Sequence, residues 1–197
     1  MTGRKGVLLY GVGTNDSNYP TRKTEKVGGK RVDVWVCPFY DRWRKMLSRC
    51  YSKQTYLTYK ECYVCEEWLY FSNFKVWMQT QDWEGKHLDK DLLVFGNKVY
   101  SPETCCFLPP KINHFLTENQ RTSGGLPAGV TFSKTEKKYV ATCSKQGKTF
   151  RIGAFPTISQ ARQEYLNYKH SIAVKLSETV TCSRQKEALL TRYKREE

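Results

Sequence analysis

Several side chains that could hold a metal ion and move a proton lie close together near the middle of the chain. They are His87, Asp89, Lys90 and Asp91. On a predicted strand over residues 87–93, Asp89 and Asp91 share one face, because the side-chain period of a strand is two. Asn113 opens a predicted helix that would pack back onto this strand. Carboxylate and carboxamide oxygens suit Mg²⁺ or Mn²⁺ better than Zn²⁺, so the pattern predicts a hard-metal site able to cleave phosphodiesters.

Such a reaction also needs a base that deprotonates water. Lys90 is a poor base, because lysine is protonated at neutral pH and neighbouring carboxylates raise its pKa further. It could instead neutralise a leaving oxygen or hold a phosphate. His87 lies on the face of Asp89 and could replace the base, and His114 is a weaker alternative. We therefore name His87 and Lys90 as candidate catalytic residues.

The elements that must position these residues follow from local signals. Gly96-Asn97 is a strong turn signal after the first strand, and a loop over residues 101–103 leads to a second strand over residues 105–108. Pro109-Pro110 suits a helix start, with residues 111–116 in the first turns. The predicted order is therefore strand, long loop, strand, helix.

This order and its residues resemble the ββα-metal motif of phage-type HNH endonucleases, and the likeness covers most of residues 35–116. The matching stretches are Leu88-Asp89-Lys90, Gly96-Asn97-Lys98, Ser101-Pro102-Glu103-Thr104 and Lys111-Ile112-Asn113. The resemblance implies that Asp89 and Asn113 bind the metal ion and that Asn97 braces the loop. In an endonuclease of this kind we expect Lys111 to contact a phosphate. Lys90 stands where the family has its catalytic His.

A second group of strands is predicted after residue 127, where the sequence alternates between turn clusters. A helix over residues 159–176 follows, and Thr157 and Gln160 can form a capping box at its start. The segment contains the stretches Gly129-Val130, Lys138-Tyr139-Val140-Ala141 and Arg151-Ile152-Gly153-Ala154-Phe155, with Ala161 and Tyr165 on the helix. With these residues, positions 127–176 resemble the AP-two DNA-binding domain of plant ethylene-response factors, in which a three-stranded sheet enters the major groove.

Side chains on these strands are expected to divide between DNA and the helix. Lys134, Lys138, Lys148 and Arg151 are the candidates for contacts to phosphates or guanine edges. Val140, Ile152 and Phe155 are expected to face the helix.

The charge of the chain favours a polyanionic partner. The 197 residues contain 33 Lys and Arg against 19 Asp and Glu, a formal net charge of +14. Residues 1–60 and 127–197 carry net charges of +9 and +8, whereas residues 61–126 carry −3. Two basic flanks around an acidic centre suit double-stranded DNA held from both sides, with a divalent cation at the centre.

The predicted fold class is α+β, with an HNH-like ββα-metal domain and flanking helices, then a three-stranded antiparallel sheet packed on one helix. Helices are also predicted over residues 38–51 and 66–78. The predicted division is a basic, extended and partly mobile arm (1–34), the HNH-like domain (35–118), a linker (119–126), the AP-two-like domain (127–178) and a charged helix (179–197).

The eight cysteines allow a zinc site as an alternative. Cys62 and Cys65 have zinc-ligand spacing but lack a second pair, so Zn²⁺ is less favoured than Mg²⁺ or Mn²⁺. The chain lacks an apolar run of the ~18 residues that a membrane helix needs, and it lacks a secretory segment. We therefore expect the protein to be located in the cytoplasm and to have no membrane partner. If a phage encodes it, this is the cytoplasm of the host cell.

The first functional hypothesis is a metal-dependent DNA endonuclease that nicks or cuts a site chosen by the C-terminal domain. The second is a degenerate HNH-derived DNA-binding protein that acts as a repressor or inhibitor. A zinc-stabilised interaction protein is the third. A homodimer is compatible with each of them.

Overall fold

The computed structural model describes residues 8–54, 59–117, 125–145 and 148–194, without the side chains of residues 145 and 148. The fold is mixed α+β, which confirms the predicted class. The chain forms two compact units, Met1–Leu108 and Pro109–Glu197. The helix predicted from residue 111 was expected to belong to the first domain, whereas the structure places it in the second unit. Residues 118–124, most of the predicted linker, lie outside the described residues.

Two antiparallel strands near the N-terminus form a hairpin. β1 (Arg22–Val27) pairs with β2 (Lys30–Val36) around the turn residues Gly28 and Gly29. Both glycines have positive φ, 57° and 80°, as a two-residue turn with the twist of the strands requires. The prediction of an extended arm is therefore wrong for this part of residues 1–34.

The core of the first unit is built from aromatic side chains on two helices. α1 (Pro38–Tyr51) confirms the predicted helix, and it buries Trp43 and Leu47 completely. The indole Nε1 of Trp43 donates a hydrogen bond of 2.6 Å to the carbonyl oxygen of Trp68. This bond satisfies the polar atom of a large side chain that is otherwise enclosed by apolar neighbours.

The helix predicted over residues 66–78 is interrupted. A 3-10 helix (Glu66–Leu69) and α2 (Phe71–Gln79) are separated by Tyr70, which has extended backbone dihedrals. A distant residue causes this interruption, because Thr14 pairs with the backbone around Tyr70. Its N–H donates to the Leu69 carbonyl at 2.8 Å, and its carbonyl accepts from the Phe71 N–H at 3.0 Å.

Four short strands frame the loop that carries the candidate catalytic residues. β4 (His87–Asp89) pairs antiparallel with β6 (Cys106–Leu108), and β3 (Tyr63–Val64) pairs in parallel with β5 (Val99–Tyr100). Leu88 and Phe107, which face each other across β4 and β6, belong to the aromatic core.

β4 is shorter than predicted. It ends at Asp89 rather than continuing to residue 93. The Oδ1 atom of Asp89 accepts hydrogen bonds from the backbone N–H groups of Asp91 and Leu92, which turns the chain out of the ladder. Asp91 therefore lies in the loop and not on the strand.

The second unit contains a three-stranded sheet and three helices among its described residues. They are α3 (Pro110–Leu116), β7 (Val130–Ser133), β8 (Lys138–Lys145), β9 (Lys148–Phe155), α4 (Ile158–Ser177) and α5 (Ser183–Thr191). The strands are antiparallel in the order β7-β8-β9, and α4 begins at a Thr157 side chain that accepts from the Gln160 N–H at 3.2 Å. The three predicted strands, the helix and its cap are therefore confirmed. No described helix, the twenty residues of α4 included, is long and apolar enough to cross a membrane.

One face of this sheet packs on α4. Ala141 and Cys143 of β8 form a core with Tyr165 of α4, and Ile152 and Phe155 pack against it as expected. Val140 is not part of that cluster, because neighbouring residues of a strand point to opposite faces. The prediction that Val140 faces the helix is therefore wrong, and the alternate residues of β8 take that place.

Candidate metal site and nucleic-acid interface

Asp89 lies at the end of β4 and is 8% exposed to solvent. Its Oδ1 atom accepts the Asp91 N–H at 3.0 Å and the Leu92 N–H at 2.7 Å. Two backbone donors on one oxygen hold the carboxylate in a fixed direction. This carboxylate shapes the loop, and any role in binding a metal ion would be additional to that one.

Lys90 is directed into the loop. Its side chain is 6% exposed, and Nζ donates to Asp91 Oδ1 at 2.6 Å and to the Asn97 carbonyl at 2.7 Å. Burial lowers the pKa of Lys90, but the hydrogen bond and charge of Asp91 outweigh it and raise the pKa above its ordinary value of 10.5. Lys90 is consequently a protonated cation at neutral pH and is unsuited to accept a proton.

Asn97 connects the two ends of the same loop. Its Nδ2 atom donates to the Lys90 carbonyl at 2.8 Å and to the Val99 carbonyl at 2.6 Å, and its Oδ1 atom accepts the Val99 N–H at 3.1 Å. The Thr104 hydroxyl donates to the same Val99 carbonyl at 2.8 Å. The loop between β4 and β5 is thus closed by side-chain to backbone hydrogen bonds.

The other predicted members of the metal site lie in different places. His87 is exposed at the start of β4, opposite Leu108 of β6. Asn113 is half-buried on α3, and Lys111 is exposed on the same helix. α3 belongs to the second unit, so a metal ion shared by Asp89 and Asn113 stays a prediction.

The donor atoms of the loop fit a hard divalent ion in part. The described residues contain no group of three or more His, Cys, Asp or Glu that could hold a metal ion. Asp91 is already paired with the Lys90 ammonium group. Mg²⁺ and Mn²⁺ accept one or two carboxylates together with amide oxygens and water, so Asp89 suits one such position.

The surroundings of Cys62 and Cys65 in the first unit differ from those of a zinc site. Cys62 is buried and Cys65 half-buried, and neither forms a disulfide. Burial raises the pKa of Cys65, and burial, with the nearby Cys62, raises the pKa of Cys50 to about 12. Zinc binds thiolates, so the burial of Cys65 disfavours the form of this cysteine that the metal needs.

The face of the sheet opposite α4 carries Lys138 and Arg151, two of the predicted DNA contacts of the second unit, whereas Lys134 lies in the turn between β7 and β8. Lys134, Lys138 and Arg151 are exposed. Arg151 pairs with Thr142 in the sheet register, and so lies in the row that alternates with Ala141 and Cys143. For Lys148, the structure gives only its position as the first residue of β9.

Glu136 was missed by the sequence prediction. It lies in the turn between β7 and β8, and its carboxylate receives two short hydrogen bonds from Arg151. The hydrogen bond from Arg151, followed by its charge, lowers the pKa of Glu136. The predicted four-residue turn could have indicated this pair, because it leads into β8, the strand that pairs with the strand of Arg151.

The chain matches no protein-family model, no curated protein and no solved structure.

Proposed function

We propose that the protein binds double-stranded DNA through the exposed face of the three-stranded sheet in its second unit. The observation that carries this proposal is the two-sided sheet, with one face packed on α4 and the other presenting Lys138 and Arg151 to solvent. Such a rigid sheet can place an arginine fork against guanine or phosphate without ordering a loop.

The charge of the chain supports the same partner. Most of the second unit belongs to a basic segment, and the exposed cations on its sheet would release counterions when they meet phosphates. The resemblance of residues 127–176 to the AP-two domain agrees with this surface.

Binding can be tested by fluorescence anisotropy with the full chain and labelled DNA duplexes at several salt concentrations. Arg151→Ala should weaken binding to a preferred duplex about 5- to 100-fold, and Lys138→Ala should reduce the salt slope by about 1. Lys175→Ala on α4 is the matched control. Equal affinities for all four proteins would contradict the proposal.

A second candidate function is metal-dependent cleavage of the bound DNA. It is favoured by Asp89, whose carboxylate is held in a fixed direction at the end of β4, and by the order of β4, loop, β6 and α3. Asp89 and Asn113 would hold Mg²⁺ or Mn²⁺, which supplies Lewis-acid activation of the phosphate when bound. His87 is the remaining candidate base, because Lys90 is protonated.

Cleavage can be tested with supercoiled plasmid and Mg²⁺ or Mn²⁺. Activity in the wild type that is lost in both Asp89→Asn and Asn113→Ala would support an endonuclease. Lys90→His restores the histidine of the HNH pattern. Cleavage by this variant alone would identify the wild type as an HNH-derived protein that does not cleave DNA. DNA binding without cleavage by either protein would favour the repressor or inhibitor.

A further inference from the structure

The β1–β2 hairpin is exposed on both of its faces. Every residue of β1, and every residue of β2 except Val36, is exposed to solvent. Val27 is 61% exposed and Trp35 is 43% exposed. A two-stranded hairpin is marginally stable in water when it stands alone. A partner that covers this hairpin would therefore stabilise it.

The base of the hairpin is fixed on the first unit. The Cys37 N–H donates to the Thr21 carbonyl at 2.8 Å, and the Asn15 side chain donates to the Thr21 hydroxyl at 3.2 Å. Thr21 and Cys37 are both buried. Because the base is held in place, a partner needs to order only the projecting strands.

Cations lie on both faces of the hairpin. Residues that pair across the strands share a face, and side chains alternate along β1. One face carries Arg22, Lys26 and Arg31, and the other carries Lys23 and Lys30. Glu25 and Asp33 are the acidic residues of the two strands. Arg22 lies 4.0 Å from Asp33. Lys26 and Arg31 lie closer to the tip of the hairpin on the same face.

The second face also offers aromatic and apolar surface. The Lys23 ammonium lies 6.0 Å from the centre of the Trp35 ring, which stacks charge on an exposed indole. Val27 and Val32 extend the apolar surface toward the tip. Cations beside flat apolar groups suit the mixed surface of a nucleic acid, where phosphates border sugars and bases.

We infer that the β1–β2 hairpin is a second, separate DNA-binding element that enters a groove of the duplex. Cations on its two faces contact the two phosphate backbones that border the groove. A ribbon of two strands about 4.8 Å apart fits the major groove, which is about 12 Å wide. The inference rests on the proposed DNA-binding function and adds a site outside the three-stranded sheet.

The inference is tested with three double variants of the full chain. Lys26→Ala/Arg31→Ala changes one face and Lys23→Ala/Lys30→Ala changes the other, whereas Lys53→Ala/Lys60→Ala removes two exposed cations elsewhere in the first unit. Each hairpin variant should reduce the slope of log affinity against log salt by about 2, because each lost phosphate contact contributes about 0.9. The control should leave the slope unchanged.

Trp35 supplies a readout that does not depend on affinity. Acrylamide quenching of tryptophan fluorescence should fall when duplex DNA is added to the wild type, because DNA would cover the exposed indole. This protection should be absent in Trp35→Phe. Quenching that DNA leaves unchanged in the wild type would overturn the inference.

The outcomes separate the two binding proposals. Unchanged slopes in both hairpin variants, together with weaker binding by Arg151→Ala, would overturn the hairpin site and leave the sheet site standing. Weaker binding by the hairpin variants alone would support the hairpin and contradict the sheet. A wild type that does not bind duplex DNA, but whose hairpin is needed for binding to anionic phospholipid vesicles, would overturn both.

Discussion

Arg151 and Glu136 form an ion pair on the exposed face of the second unit, with Arg151 Nη2 at 2.8 Å and 2.6 Å from the two carboxylate oxygens. The arginine that would contact DNA is thus already paired within the free protein. The pKa of Glu136 is lowered from its ordinary value of 4.5, so its carboxyl group is ionised at neutral pH with or without the arginine. DNA must compete with this carboxylate for the guanidinium group.

Replacing Glu136 should therefore strengthen DNA binding. Glu136→Gln removes the competing negative charge and its repulsion of phosphate, and we expect about 2- to 10-fold tighter binding at low salt. Fluorescence anisotropy would measure the effect. Glu187→Gln on α5 makes the same charge change away from the sheet face and should have a smaller effect. Equal gains in the two variants would indicate a general charge effect without release of Arg151.

Two substitutions of Asp89 should separate loop structure from metal binding. Asp89→Asn keeps an oxygen that can accept the Asp91 and Leu92 N–H groups, whereas Asp89→Ala removes it. Asp89→Ala should lower the free energy of unfolding by about 1–3 kcal/mol, and Asp89→Asn by less. Urea unfolding followed by tryptophan fluorescence reports on the first unit, because all five Trp lie between residues 35 and 83.

If Asp89 holds a divalent ion, both variants should lose metal binding in calorimetric titrations with Mn²⁺. Metal affinity that survives in Asp89→Asn and falls only in Asp89→Ala would assign to Asp89 a purely structural role.

The two partners of the Lys90–Asp91 pair should differ in their sensitivity to substitution. Asp91→Asn leaves the buried ammonium group without its carboxylate, and should cost about 1–2 kcal/mol of unfolding free energy. Lys90→Met leaves an aspartate that is 42% exposed and can be hydrated, so its cost should be smaller. A larger loss in Lys90→Met would contradict this order.

The same pair predicts a pH dependence in the alkaline range. The pKa of Lys90 is raised in the folded protein, so its stabilisation is complete below pH 10.5 and is lost as the pH rises through the raised pKa. Wild-type stability should fall more steeply than that of Lys90→Met above pH 10.5. Parallel curves for the two proteins would show that Lys90 makes no such contribution.

Lys169 should stabilise the second unit. Its buried Nζ donates to the Phe115 carbonyl at 2.6 Å and lies 3.9 Å and 4.9 Å from the centres of the Phe115 and Tyr193 rings. Lys169→Met should cost about 1–3 kcal/mol and speed hydrogen exchange in α3 and α5. Lys175→Met, at an exposed position of the same helix, should leave exchange unchanged. Equal hydrogen exchange in both variants would show that Lys169 does not stabilise the packing of these helices.

Elements with strong local signals were predictable from the sequence. The spacing of Trp43 and Leu47 indicates α1, and Thr157 with Gln160 indicates the start of α4. The Gly28-Gly29 pair also predicts a hairpin, but the surrounding polar residues suggested an arm instead. Features set by distant contacts were not predictable. Thr14 interrupts the predicted helix at Tyr70, and the types of these two residues do not indicate that they pair.

The candidate site was predictable in its residues but less so in their geometry. The sequence placed Asp89 and Lys90 on a strand and Asn97 in the turn that follows it, and the expected rise of the Lys90 pKa is confirmed. The sequence did not indicate that Asp89 ends β4, because this depends on two backbone hydrogen bonds to its side chain. It also did not indicate the partner of Arg151, which depends on the turn at Glu136.

The exposed hairpin has a consequence for the solubility of the protein. Outer edges of β1 and β2 offer backbone groups that could pair with a strand of another molecule, and Val27, Val32 and Trp35 would favour such stacking. Mutual repulsion between the lysines and arginines of two hairpins opposes this pairing. Because salt screens that repulsion, concentrated protein without nucleic acid should self-associate more readily at high ionic strength than at low.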